Sequence, residues 1–225
     1  GAEVLVLGRS AVFIPVDTEA VRPEDVVLAR QWAAEYGLDA ILSTDGDSDR
    51  PLLADERGDW LRGDVLGILC AHYLGAQCVA TPVSSNTALE KSGWFAQTPR
   101  TRIGSPYVIE AMQAALDQGQ QGVCGYEANG GFLLMSPLHV DGRELASLPT
   151  RDAVLPMLAV LARARTLGCT VSALLGALPA RFTCSDRIQN FPTVLSQARL
   201  ASMQTGSSAE QRQAFENMFG VVSGT

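Results

Sequence analysis

Short apolar runs alternate with helix-like stretches from Asp64 to Met135, and this alternation confines the chain to layered α/β architectures, with mixed sheets flanked by helices. The spacing predicts a helix over Val65–Leu74, a strand over Gln77–Thr81, a short helix beginning near Asn86 and a strand over Arg100–Ile103. A longer helix is expected over Pro106–Gln118, with Ser105 as its N-cap, Pro106 at its first position and Gly119 ending it. Val123–Tyr126 and Gly131–Met135 read as strands around a glycine-rich turn, followed by helices over Arg151–Leu167 and Val171–Leu178.

A smaller α/β unit is expected before residue 60. It comprises a strand over Glu3–Leu7, a helix over Pro23–Tyr36 stopped by Gly37, and a strand over Ala40–Ser43. Pro51–Ala54 and a return through Trp60–Arg62 suggest a hairpin across the turn-rich residues Asp55–Asp59. Residues 192–225 are more polar, with helical patches at Val194–Met203 and Ala209–Met218. They read as a connector, and Phe219–Thr225 resembles an incoming strand of a further domain.

Across 225 residues, 47% are hydrophobic, enough to bury a core in one large or two small domains. A net charge of −7, without any Lys/Arg-rich run, argues against a nucleic-acid partner. The five cysteines are odd in number and lack Cys-x-x-Cys spacing, so reduced, mostly buried thiols are expected rather than a disulfide framework or a zinc site. The longest apolar stretch, Ala153–Ala162, contains Pro156 and falls well short of the roughly 20 residues that span a bilayer. No signal-peptide pattern opens the chain. A cytoplasmic protein without a membrane partner is the expectation.

Chemistry concentrates in Asp45-Gly-Asp-Ser-Asp-Arg50, directly after an apolar strand. Asp45, Asp47 and Asp49 stand at alternating positions separated by small residues, and three carboxylates converge on one point only if a hard cation offsets their repulsion. Mg²⁺ suits such oxygen ligands and leaves coordination sites open for a phosphate. Arg50 adds a planar fork for phosphate oxygens beside it. Glu56 is the twelfth residue counted from Asp45, as in a calcium-binding EF-hand. That motif wants glycine at the sixth position, where this chain has Arg50 followed by Pro51. His72 and His139 lack the neighbours of a catalytic triad.

The acidic loop resembles the metal loop of the α-D-phosphohexomutases, the phosphoglucomutase and phosphomannomutase family. A second segment, Gly125-Tyr-Glu-Ala-Asn-Gly-Gly131, is similar to that family's sugar-binding loop, Gly-Glu-x-Ser-Gly, with Tyr126 inserted before Glu127 and Asn129 in the place of serine. Glu127 can accept two sugar hydroxyl protons, and Asn129 can donate and accept. Thr101–Ile109 and Arg181–Pro192 look like parts of the family's third domain. In the former, the helix start at Ser105 can meet a phosphate or hydroxyl through free N–H groups; in the latter, an inter-domain structural role is expected.

The resemblance implies the end of a second domain over residues 1–59, a third domain over 60–190 and a connector toward a fourth over 191–225. It also implies interconversion of hexose 6-phosphate and hexose 1-phosphate through a phosphoserine enzyme and a hexose 1,6-bisphosphate intermediate, with mannose phosphate favoured. Mg²⁺ would be held by Asp45, Asp47 and Asp49, Arg50 would be catalytic, and Glu127, Asn129 and Ser105 would bind the hexose phosphate. The two loops are expected on separate lobes with the cleft between them. No serine here is followed by His-Asn-Pro, the family's phosphoserine context, so the first and fourth domains of the same protein are expected partners, and little turnover is expected without them. Two other readings of the residues stay open: a Mg²⁺-dependent sugar-phosphate phosphatase, and a non-catalytic module that binds sugar phosphate or a divalent cation.

Overall fold

The computed structural model describes residues 1–186, 188, 190–204 and 206–219. These fall into two compact units, Gly1–Ser185 and Asp186–Thr225. The expected change of unit near residue 60 lies inside the first of them.

The first unit is built on a mixed sheet. Strands β3 (Cys78–Pro82), β4 (Arg100–Thr101) and β5 (Val123–Tyr126) run parallel, with β3 in the middle. β6 (Phe132–Leu134) returns antiparallel beside β5, and β9 (Leu148–Asp152) lies antiparallel beyond β6, giving the order β4-β3-β5-β6-β9. Side chains alternate between the two faces as a pleated strand requires. Cys78, Ala80, Val123 and Leu133 pack with Val108, Met112 and Ala115 of α4 (Ser105–Asp117) on one face. Val79, Cys124, Tyr126, Phe132 and Leu134 pack with Ile68 of α2 (Gly63–Tyr73) and Ala159 of α5 (Val154–Leu167) on the other. The result is an α/β/α sandwich, with the short helix α3 (Ala88–Lys91) between β3 and β4 in the chain. Each large side chain buried this way contributes about 1.5–3 kcal/mol. Gly67 is the point where α2 meets the sheet, since a Cβ there would stand 2.3 Å from the Tyr126 ring.

Ahead of the sandwich lie α1 (Pro23–Tyr36), which ends at Gly37 in the left-handed conformation, and an antiparallel hairpin of β1 (Ile41–Thr44) and β2 (Pro51–Ala54). The return predicted through Trp60 is a single bridge from Ala54 to Trp60, continued by the Leu61 N–H donating to the Leu53 carbonyl at 2.9 Å. β2 is buried along its whole length. Behind it Leu53 joins Leu61, Leu66, Leu69, Met157 and Val160 in a further part of the core.

Three expectations are corrected. Glu3–Leu7 forms no strand; Val4 is 79% exposed, and no described strand lies beside this run to satisfy its backbone. Ser105 is the first residue of α4 rather than its cap. Gly104 holds the cap position at φ 126°, a conformation that favours glycine. The helix predicted from Arg151 starts at Val154, because Arg151 and Asp152 belong to β9, and the Asp152 carboxylate accepts from the Val154 N–H at 2.8 Å and caps the helix.

A small hairpin of β7 (Leu138–Val140) and β8 (Arg143–Leu145), closed by Asp141 and Gly142 at positive φ, had no counterpart in the sequence reading. After α6 (Val171–Leu174) and a 3₁₀ turn at Leu175–Ala177 the first unit ends in extended chain. The second unit contains α7 (Thr193–Met203) and α8 (Ser208–Phe219). Residues 187 and 189 of the segment Arg181–Pro192, and 220–225 of the expected incoming strand, lie outside the described residues. Among the described residues no single helix is long and apolar enough to cross a membrane.

Candidate active site

Thr44 pairs with Pro51 at the end of the β1–β2 hairpin, so the acidic segment is its loop. The loop closes on itself: the Asp45 N–H donates to the Arg50 carbonyl at 3.2 Å, and the Ser48 N–H donates to the Asp45 carbonyl at 3.2 Å. Ser48 takes positive φ to make the turn. Asp45 Oδ1 accepts from the N–H groups of Asp49 at 3.2 Å and Arg50 at 3.1 Å, which anchors the first carboxylate to the backbone.

One carboxylate oxygen from each of Asp45, Asp47 and Asp49 lies within 4.8 Å of the others. Burial raises the Asp45 pKa, and the charges of Asp47 and Asp49 push it the same way against the bond from the Arg50 N–H. Such crowding costs free energy that a bound cation removes.

The glycine-rich loop between β5 and β6 is seated against this hairpin. The Glu127 N–H donates to the Gly131 carbonyl at 3.0 Å, the Gly130 N–H donates to the Glu127 carbonyl at 2.9 Å, and Asn129 Oδ1 accepts from the Gly131 N–H at 3.0 Å. Thr18 Oγ1 donates to the Asn129 carbonyl at 2.8 Å from the N-terminal segment. Gly63 and Gly130 allow the backbones to touch, since a Cβ on Gly63 would stand 2.3 Å from the Gly130 nitrogen and one on Gly130 2.8 Å from Pro51. Glu127 is only 6% exposed. That burial raises its pKa, with Arg151, Arg50 and Asn129 acting in opposition.

Arg151 joins the two loops. Its Nη2 stands 2.7 Å from Asp49 Oδ2 and its Nη1 3.7 Å from Glu127 Oε2. Arg50 Nε lies 3.5 Å from Asp45 and 3.6 Å from Asp49, within ion-pair range and beyond a good hydrogen bond. Asp49 Oδ1, Arg50 Nε and Glu127 Oε2 are buried without hydrogen-bond partners. These atoms of both signs stand in ion-pair range of one another or of Arg151 yet keep unmet hydrogen-bonding capacity, which a water, an ion or a ligand could meet. Four carboxylates face two guanidinium groups here, a deficit that a divalent cation matches, and the all-oxygen donor set suits Mg²⁺.

The structure thus brings together Asp45, Asp47, Asp49, Arg50, Glu127 and Asn129. Both loops, expected on separate lobes, belong to the first compact unit and meet within it. Ser105 follows β4, two strands from β5 in the sheet, and like Glu127 lies beyond the carboxyl end of its parallel strand.

Arg151 was not anticipated. The Arg-Asp pair before an apolar run carries a capping signal for Asp152 but nothing that aims its neighbour at a loop. Glu56, the residue of the EF-hand count, has its carboxylate taken by the Ser172 hydroxyl and N–H at the start of α6. His72 stacks on Trp94 at 3.8 Å, a packing role.

A family model described as "Phosphoglucomutase/phosphomannomutase, alpha/beta/alpha domain III" matches residues 62–182. A phosphomannomutase of Salmonella muenchen is 50% identical over 190 residues, which is 84% of this chain and 39% of that protein. A phosphomannomutase of Sinorhizobium fredii is 44% identical over 225 residues, all of this chain and 47% of the relative. The chain therefore spans less than half the length of these relatives. Among solved structures, a phosphoglucomutase/phosphomannomutase family protein of Burkholderia thailandensis superposes with a TM-score of 0.52 at 17% identity, over 72% of this chain and 33% of that one. That likeness concerns the fold.

Proposed function

Because this chain belongs to the phosphoglucomutase/phosphomannomutase family, we propose that it is the central part of a phosphohexomutase that interconverts hexose 6-phosphate and hexose 1-phosphate, with mannose phosphates favoured. Residues 1–59 then close the second domain, 60–190 form the third, and 191–225 lead toward a fourth. The single observation that carries this reading is the meeting of the two loops: three carboxylates gathered within 4.8 Å, and a buried glutamate held beside them through Arg151.

In this reading the phosphoryl group passes between the sugar and a phosphoserine from outside these residues, by way of a hexose 1,6-bisphosphate that turns over between the two half-reactions. Asp45, Asp47 and Asp49 would hold Mg²⁺, whose charge stabilises the transferring phosphoryl group. Asp45 is suited to this because two backbone N–H groups fix its carboxylate before the cation arrives. Arg50, whose Nε stands beside the trio without a hydrogen bond, would present its fork to phosphoryl oxygens. Glu127 would accept hydrogen bonds from two sugar hydroxyls and Asn129 would frame that loop, while the start of α4 at Ser105 would receive the far phosphate or a hydroxyl. The five free thiols, three of them buried in the core, suit a reducing, cytoplasmic setting.

The deciding experiment incubates the full-length protein with mannose 1-phosphate or glucose 1-phosphate, Mg²⁺ and catalytic hexose 1,6-bisphosphate. Hexose 6-phosphate without free phosphate is the expected product. Release of inorganic phosphate would instead identify a phosphatase, and binding without either product would leave a sugar-phosphate module.

A further inference from the structure

We propose that Arg151 is a positioning residue: its guanidinium, shared between Asp49 and Glu127, aims one oxygen of Asp49 into the cation site and holds the acidic loop in register with the sugar loop. This role rests on the cation-site reading above and adds a residue that lies in neither motif.

Arg151 stands on β9, where the next residue, Asp152, pairs with Phe132 and caps α5, which fixes the backbone beside it. From there the side chain crosses the sugar loop at Gly131, where an added Cβ would lie 2.8 Å from Arg151 Cδ and 3.0 Å from Cγ. Glycine leaves the path for the stem. At its end Nη2 meets Asp49 Oδ2 at 2.7 Å while Nη1 faces Glu127 at 3.7 Å. A carboxylate clamped through one oxygen has the direction of the other decided, and Asp49 Oδ1, 3.6 Å from Arg50 Nε, is the buried oxygen left without a hydrogen bond. Partners of this kind, bound to a ligand rather than to the metal, set ligand orientation, and losing one typically costs 10–100-fold in metal affinity.

The rival role is charge neutralisation alone, and it predicts the opposite sign. A positive group removed from beside three carboxylates would then tighten cation binding, and lysine would serve as well as arginine. Positioning requires the fork, since an ammonium reaches only one of the two carboxylates.

The test is Mn²⁺ binding by the full-length protein, followed through the electron paramagnetic resonance of the free ion, with thermal melting as the check on folding. R151M keeps the apolar stem over Gly131 and should bind Mn²⁺ about tenfold more weakly than the parent. R151K should recover only part of that loss. Should R151M fail to fold, R151Q makes the same comparison. Equal or tighter binding by the folded variant overturns the positioning role, and a parent that binds no Mn²⁺ overturns it together with the cation site. A parent that binds Mn²⁺ but does not isomerise hexose phosphates, with R151M still weakened, removes the mutase reading and leaves Arg151 in its role.

Discussion

At the scale of single residues, the acidic loop gathers charge and the glycine-rich loop buries a carboxylate. Arg50 Nε stands in ion-pair range of Asp45 and Asp49 at 3.5 and 3.6 Å and makes no hydrogen bond. Arg50→Lys in the full-length protein should lower kcat by more than it raises KM, because a point charge cannot follow a moving phosphoryl group with two parallel hydrogen bonds. Steady-state kinetics at saturating Mg²⁺ decide this, and an unchanged kcat would assign Arg50 to the structure of the loop. Glu127 differs in kind, being buried with one oxygen that makes no hydrogen bond and faces Arg151 at 3.7 Å. Glu127→Gln keeps the shape and replaces an acceptor with a donor, so calorimetry should find hexose-phosphate binding weakened by about 1.5–3 kcal/mol, the range for a charged hydrogen bond. The gathering of Asp45, Asp47 and Asp49 was legible in their alternating spacing, whereas Glu127 was singled out by the resemblance of its glycine-flanked loop. Arg151 was not, because its part depends on β9 lying two strands from β5, a fact of topology.

At the scale of elements, legibility followed the strength of local signals. The range predicted for α1 and those for β2 and β5 match the observed ones, since proline, glycine and continuous apolar runs punctuate them. β9 escaped notice because Leu148–Asp152 is short and largely exposed, and it carries a proline and no alternation. The β7–β8 hairpin did advertise itself through Asp141-Gly142, a turn signal that went unused. Glu56 shows how an element is secured by a residue far away in sequence. Burial alone would raise its pKa, but hydrogen bonds from the Ser172 hydroxyl and N–H outweigh that and bring it to about 2, against an ordinary value of 4.5. A carboxylate whose folded pKa is depressed stabilises the fold above its unfolded pKa, and that contribution is lost as pH falls from 4.5 toward 2. Glu56→Gln should therefore cost about 1 kcal/mol at pH 7, reduced from the usual value for a charged bond because the pair is partly exposed. Denaturant titrations at successive pH values check it: the gap between parent and variant should close below pH 4.5, and a gap that persists unchanged at pH 2.5 would refute the linkage.

At the scale of the molecule, the alternation from Asp64 to Met135 was enough to call for an α/β sandwich, because each apolar strand needs cover on both faces and the intervening helices are there to supply it. What the alternation could not show was how much of the chain takes part in one cooperative core. The fully buried apolar side chains run from Ala29 to Leu174, all within the first compact unit. In the second unit α7 has no buried residue, and Val194, Leu195, Leu200, Phe215 and Met218 are exposed. Helices of 11 and 12 residues are marginal in water without an apolar face to bury. Folding free energy must then come almost wholly from residues 1–185, including the Arg62 bond to Ser185 Oγ at 3.0 Å near its end. A chain shortened to residues 1–185 should melt in a single transition within about 2 °C of the 225-residue chain, since 1 kcal/mol corresponds to about 2–4 °C at this size. Calorimetry on the two lengths measures it directly. A drop of 10 °C or more would mean that α7 and α8 carry stability their exposure does not reveal, and the division into a core-bearing unit and a helical extension would have to be given up.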